Sequence, residues 1–325
     1  MMFSRRTVLS TVLPGALSCV FAQRAAHAAV PTVRVGLLPF GTGNWDLDVT
    51  LRNGFDKTQN VTIDLVHFDT PQSVQAALLA GRVDIVVLDW LWVVGRRADG
   101  EDWAFTPISS AAGALVARQG TSIDSIDDLK NTRLGIVGPL DKNWLILQAY
   151  AKHKFGTDLD QVVTKVFATP PELIKALRAG QLDSMLTFWP FAAKAEAHGM
   201  RHILGIEDAV RGLGVVGTVP FTGYVFSRTW ADTNRNLIDS FLAAGLRARA
   251  LLDTSDEEWL RLKPIVNADD EAEFDKLKAA YRRGVIHESN EAQHAAIALL
   301  YRKLAEIGGL AMVGASSQIP AGTFW

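Results

Sequence analysis

Four tryptophans stand in two pairs at one fixed spacing. Trp45 matches Trp144 and Trp90 matches Trp189, each 99 residues on. Their neighbours carry polar chemistry: Asn44 and Asp46 flank Trp45, Asp89 precedes Trp90, and Asp141, Lys142 and Asn143 lead into Trp144. Thr70-Pro71 recurs as Thr169-Pro170. Indole faces beside the carboxylates of Asp46, Asp89 and Asp141 suit a protonated amine or an electron-poor heterocycle, held by cation–π and stacking contacts. Lys142 either neutralises Asp141 or meets an anionic group. Asp48 sits inside a helix and reads as solvated. The competing reading makes Asn44 and Asn143 plain helix caps and the indoles core packing. Recurrence at both loops and both strand ends favours a site. Trp92, Trp103, Trp230 and Trp259 have no such pairing and read as structural.

Catalytic constellations are missing from the sequence. The one cysteine, Cys19, falls near the amino end. His67, His153, His198, His202, His287 and His294 form no HExxH pair, and no GxSxG elbow occurs. Gly41-Thr42-Gly43 is too short for a phosphate loop, and no loop spacing supports a hard-metal site. Neither catalytic residues, nor a metal, nor a cofactor is expected.

The elements that must position these residues come from a repeat. Residues 34–90 and 133–189 align without a gap, with 14 identities in 57 positions. A fixed self-similarity means one structural unit used twice, and two copies imply paired lobes. The first unit reads as strand 32–40, helix 44–57, strand 61–68, helix 72–80 and strand 83–88. The second reads as strand 133–137, helix 142–155, strand 162–167, helix 171–179 and strand 182–188. That is β-α-β-α-β twice, hence parallel sheets with helices on their faces. Residues 96–102 read as a charged loop, and 106–118 as a strand crossing between lobes. Residues 124–129 begin a helix, and 191–197 and a strand near 202–205 follow the second unit. Residues 221–226 read as a second crossing, which brings Tyr224 into the candidate set. Helices are expected over 234–252, 255–266, 269–283 and 290–306, with an extended tail at 308–325. In open parallel sheets ligands bind beyond the carboxyl ends of the strands. Two such faces turned together would line a cleft with Trp45, Trp90, Trp144 and Trp189, and the helix amino ends at Asn44, Thr70, Asn143 and Thr169 would offer backbone N–H groups.

A chain of 325 residues has room for two full cores, and its net charge of −2 gives no support to a nucleic-acid surface. Residues 1–28 read as an export signal, with Arg5 and Arg6, an apolar run and Ala26-His27-Ala28 as a cleavage site. Ser4-Arg5-Arg6-Thr7-Val8-Leu9 fits the twin-arginine route, with general secretion the other route. Cleavage after Ala28 removes three arginines and no acid, taking the charge from −2 to −5. It also removes Cys19; a lipid-attachment site would want leucine three residues earlier, where Ala16 stands. The expected organisation is signal 1–28, lobe I from 29–112 and 224–325, and lobe II from 113–223.

The strand VRVGLLPF, the segments GRVDIVVLDW and GQLDSMLTFWPFAAKAEAHG, and SIDDLKNTRLGIVG at the entry to the second lobe carry a resemblance. The chain resembles periplasmic solute-binding proteins that feed ABC transporters for nitrate, sulfonates, taurine and thiamine-precursor pyrimidines, the NMT1/THI5-like group. The resemblance covers nearly all of the mature chain. It implies a type II periplasmic binding protein-like α/β fold, with two lobes joined by two crossing strands and closing on ligand by hinge motion. It further implies a periplasmic, monomeric, non-enzymatic protein with a small-molecule ligand and an inner-membrane ABC permease as partners. Sulfonate- and nitrate-binding members carry small hydroxyl residues at the loop aligned with 138–142. Asp141 and Lys142 stand there, which turns the implied ligand toward a pyrimidine-like molecule or an amine. Two other readings come with the fold: an accessory protein of a periplasmic quinoprotein dehydrogenase, and a pyrimidine- or chorismate-type enzyme.

Overall fold

The computed structural model describes residues 30–39, 41–309, 313–314 and 316–325. The expected export signal, Cys19 included, lies outside them. The first unit runs β1 (Thr32–Leu37), α1 (Gly43–Arg52), α2 (Phe55–Thr58), β2 (Thr62–His67), α3 (Pro71–Leu79), β3 (Ile85–Leu88), α4 (Trp90–Ala98) and β4 (Trp103–Ser109). The second begins with β5 (Gly113–Ala117) and a 3-10 turn at Ile126–Leu129. It continues β6 (Arg133–Ile136), α5 (Lys142–Phe155), α6 (Leu159–Val162), β7 (Thr164–Phe167), α7 (Pro170–Arg178), β8 (Ser184–Phe188), α8 (Trp189–Ala197), β9 (Arg201–Gly205) and α9 (Ile206–Gly212). The chain then returns through β10 (Thr222–Ser227), α10 (Arg228–Thr233), α11 (Arg235–Thr254), α12 (Asp256–Val266), α13 (Glu271–Gly284) and α14 (Glu291–Gly308). No helix among the described residues is long and apolar enough to cross a membrane.

Two five-stranded sheets result, in the orders β2-β1-β3-β10-β4 and β7-β6-β8-β5-β9. They share one plan: three parallel strands, then two strands in antiparallel pairing. The repeat reaches individual hydrogen bonds. Arg34 N donates to Asp84 Oδ2 at 2.8 Å, and Arg133 N donates to Asp183 Oδ2 at 2.8 Å. Gly36 and Gly135 recur because side chains close over both. A Cβ at Gly135 would lie 2.7 Å from Leu182 Cδ1, and one at Gly36 3.1 Å from Val83 Cγ2.

Several elements differ from the sequence reading. The single helix expected over 44–57 breaks at Gly54, whose φ of 65° suits a residue without Cβ. Residues 106–118 form two strands in different sheets, because the backbone between them bonds elsewhere. Ser110 N donates to Gly284 O at 2.8 Å, and Ala112 N to Glu207 Oε1 at 2.8 Å. The first three residues of the expected charged loop 96–102 belong to helix α4, started when Asp89 Oδ1 accepts Trp92 N at 3.1 Å. Helix α9 had no counterpart in the reading.

Apolar burial does not stop at either sheet. One cluster joins Trp90 and Phe105 to Leu115, Trp144 and Leu147, and α14 adds Ile297, Leu300 and Tyr301 to it. The C-terminal helix thus packs against α5, on the second sheet's side.

Candidate functional site

The loop after β1 closes on itself. Asn44 Nδ2 donates to Leu38 O at 2.6 Å and to Gly41 O at 2.8 Å, and its Oδ1 lies 3.1 Å from His67 Nε2. The helix cap is Thr42, not Asn44. The matching cap in the second unit is Asp141, not Asn143: its Oδ1 accepts from Asn143 N at 3.0 Å and Trp144 N at 3.3 Å. A carboxylate just before the first turn outcompetes an amide within it for those N–H groups. Asn143 is fully buried, with Nδ2 3.4 Å from Ala112 O and 3.5 Å from Thr187 O. Thr70 and Thr169 cap their helices as the sequence implied, each in a capping box, and both are exposed.

The four paired tryptophans separate into two kinds. Trp90 and Trp144 are core residues, and Trp90 Nε1 donates to Pro220 O at 2.9 Å. Trp45 and Trp189 meet edge to face across the lobes, with ring centroids 5.8 Å apart. Trp45 also packs on Trp259 at 5.6 Å, and both are buried in one apolar cluster against which Trp189 packs. Lys142 is buried with its ammonium 5.0 Å from the Phe188 ring centroid. Burial pushes the Asp141 carboxyl up, Lys142 opposes the shift, and the charge of Asp89 adds to it.

Beneath Trp45 lies a buried polar network. Tyr281 OH donates to Asp46 Oδ1 at 2.5 Å, and Arg249 Nη1 is 3.7 Å from Asp46 Oδ2. The Arg249 guanidinium lies 6.0 Å from the centroid of the Tyr224 ring. Burial lifts the Asp46 carboxyl above its ordinary range despite Arg249 and Tyr281, and lifts both tyrosines too. Tyr224 is therefore an inner support of this network. Arg249 and Tyr281 were invisible to sequence reasoning, since they stand 203 and 235 residues from Asp46. Asp46, Tyr281 and Trp189 line a cavity of about 20 Å³, room for roughly one water.

The larger space lies on the other side of Trp189. A groove of about 640 Å³ has Trp189, Glu196 and Glu207 on one wall and Lys276 and Arg283 of α13 on the other. Ser110 and Phe221, from the two connections between sheets, also line it. Glu207 is tied to Ala112 N, and burial raises its carboxyl. His202 Nδ1 bonds Glu196 Oε1 at 2.8 Å, which raises the imidazole. Trp189 is thus the one sequence-identified residue on both cavities. At the α8–α13 edge, His198, Asp269 and Glu273 bring ligand atoms within 4.8 Å of one another.

A model of the NMT1/THI5-like family matches residues 49–254, well over half of the chain, which therefore belongs to that family. No curated protein matches the sequence significantly. Among solved structures, the alkanesulfonate-binding protein SsuA from Xanthomonas axonopodis pv. citri, bound to MOPS, is 17% identical with a TM-score of 0.72; the match covers 92% of this chain and 99% of that one. The periplasmic aliphatic sulphonate-binding protein SsuA from Escherichia coli is 17% identical with a TM-score of 0.71, covering 90% of this chain and 92% of that one. A Candida albicans gene product with the generic periplasmic binding protein fold is 12% identical, with a TM-score of 0.61, covering 89% of this chain and 98% of that one. The architecture is the two-lobed α/β periplasmic binding protein fold.

Proposed function

We propose that this chain is a non-catalytic solute-binding protein of the periplasm. It captures a small polar, heteroaromatic or amine-bearing molecule between its lobes and delivers it to an ABC permease in the inner membrane. The observation that carries the reading is the groove of about 640 Å³ walled by both lobes and by both connections between sheets, a space whose volume must change when the lobes move. Trp189 supplies an aromatic face, and Glu196 and Glu207 supply acceptors for a donor-bearing solute. The exported location rests on the signal-like residues 1–28 and on the periplasmic relatives of the fold.

Native mass spectrometry after dialysis against cell extract is the test. A retained small molecule, lost in Trp189→Ala, is the expected result. Absence of any retained solute from broad extracts would overturn the reading. Titration with MOPS and with a protonated heteroaromatic amine separates the ligand classes: tighter binding of the amine is expected, and preference for the sulfonate would reverse the assignment.

A further inference from the structure

We propose that the α8–α13 edge is a binding site for a first-row divalent cation, Zn²⁺ foremost, ligated by His198, Asp269 and Glu273 and bridging the two lobes. His198 Nε2 lies 2.8 Å from Glu273 Oε2 and 3.4 Å from Asp269 Oδ2. All three ligand atoms lie within 4.8 Å of one another. A tetrahedral ion with bonds of about 2.0–2.1 Å sets its ligands about 3.3–3.5 Å apart. The His198–Asp269 pair already has that spacing, the His198–Glu273 pair must open by about half an ångström, and the two carboxylates lie within 4.8 Å of each other, so small side-chain shifts seat one.

The donor set selects the ion. One imidazole nitrogen with two carboxylates suits Zn²⁺ and its first-row neighbours, whereas Ca²⁺ and Mg²⁺ prefer oxygen alone. A proton serves this cluster less well. A single N–H at Nε2 can bond one of the two carboxylates that converge on it, and a dication satisfies both.

The surroundings hold the ligands in place. Lys194 Nζ donates to Glu273 Oε1 at 2.5 Å and to Asn267 O at 2.7 Å, taking the carboxylate's other oxygen and leaving Oε2 toward His198. Asp269 N also donates to Glu273 Oε1, at 3.3 Å. Glu273 is buried at 1% exposure, while the Asp269 side chain is 61% exposed, so an ion has an entry path and a place for water as fourth ligand. Two carboxylates and one ammonium leave a net charge of −1 around the imidazole. His198 lies at the end of α8, beside the second sheet. Asp269 just precedes α13 and Glu273 stands in its first turn, in the segment that follows β10.

Titration of the chelator-treated full chain with Zn²⁺ by calorimetry tests the site, with Co²⁺ absorption as a second readout. The expected result is one equivalent bound at micromolar affinity and a visible tetrahedral Co²⁺ band. His198→Ala should abolish both. Asp269→Ala, at an exposed side chain that folding does not need, should weaken binding at least tenfold. No saturable uptake, or uptake unchanged in Asp269→Ala, overturns the proposal. Neither outcome depends on the identity of the solute.

Discussion

Trp189 is the residue on which both cavities depend, and it was marked by nothing more than a 99-residue echo of Trp90. The echo located the pair but not the difference between them. Trp90 turns inward because Pro220 O accepts its indole N–H, whereas Trp189 begins α8 and reaches Trp45 across the lobes. Trp189→Ala should weaken solute binding about tenfold, about 1.4 kcal/mol, with Trp144→Ala instead lowering stability. Isothermal titration beside thermal unfolding separates the two effects. Below Trp45, Asp46 is a buried carboxylate with two partners distant in sequence. Arg249→Met leaves it unpaired and should cost about 3–5 kcal/mol. Tyr281→Phe, which removes one hydrogen bond to a charged group, should cost about 1.5–3 kcal/mol. Denaturant unfolding measures both, and equal losses would contradict the ion pair. The sequence marked Asp46 and Tyr224 but not their partners Arg249 and Tyr281, because contacts across some 200 residues leave no local pattern.

At the level of elements, the sequence carried most of the fold. Hydrophobic periodicity marked β1, α5 and α11 to α14 to within a few residues. The repeat carried both sheets. Helix α4 escaped because Trp-Leu-Trp-Val-Val continues the aromatic and β-branched pattern of the preceding strand. A side-chain cap at Asp89, which periodicity does not register, begins the helix there. The repeat held that information, since α8 follows β8 as α4 follows β3. The same equivalence gives a paired prediction. Asp84 holds Arg34 through Nε at 3.1 Å and Nη2 at 2.6 Å as well as the main chain, whereas Arg133 Nε is 3.8 Å from Asp183. Asp84→Ala should therefore destabilise by about 2–3 kcal/mol and Asp183→Ala by about 1 kcal/mol. A reversed order in chemical denaturation would refute the assignment. Gly113→Ala should be worse than either, since its Cβ would fall 2.0 Å from Thr187 O.

For the whole molecule, the buried acids set a pH dependence. The folded state holds the Asp141 proton more tightly than the unfolded chain does, chiefly because of burial. That group's contribution is fully present below the ordinary carboxylate range and is lost as pH rises through the raised value. Asp141→Asn keeps a capping oxygen and removes the titration. Its melting temperature should gain on the parent as pH rises above the ordinary carboxylate range. A difference that stays flat in calorimetry would show that the carboxyl is not shifted.

The two seams between lobes are unlike. Hydrocarbon from α14, α5, Trp90 and Trp144 fills one, while along the other Lys194, His198, Glu196 and Lys276 meet ionic partners beside the apolar contacts of Trp189 and Ala193 with α13. Dissolved salt screens exposed charge pairs and strengthens, if anything, the contact between oily surfaces. Brine should therefore weaken the exposed Lys276–Glu196 pair on the α8–α13 side while leaving the C-terminal helix seated.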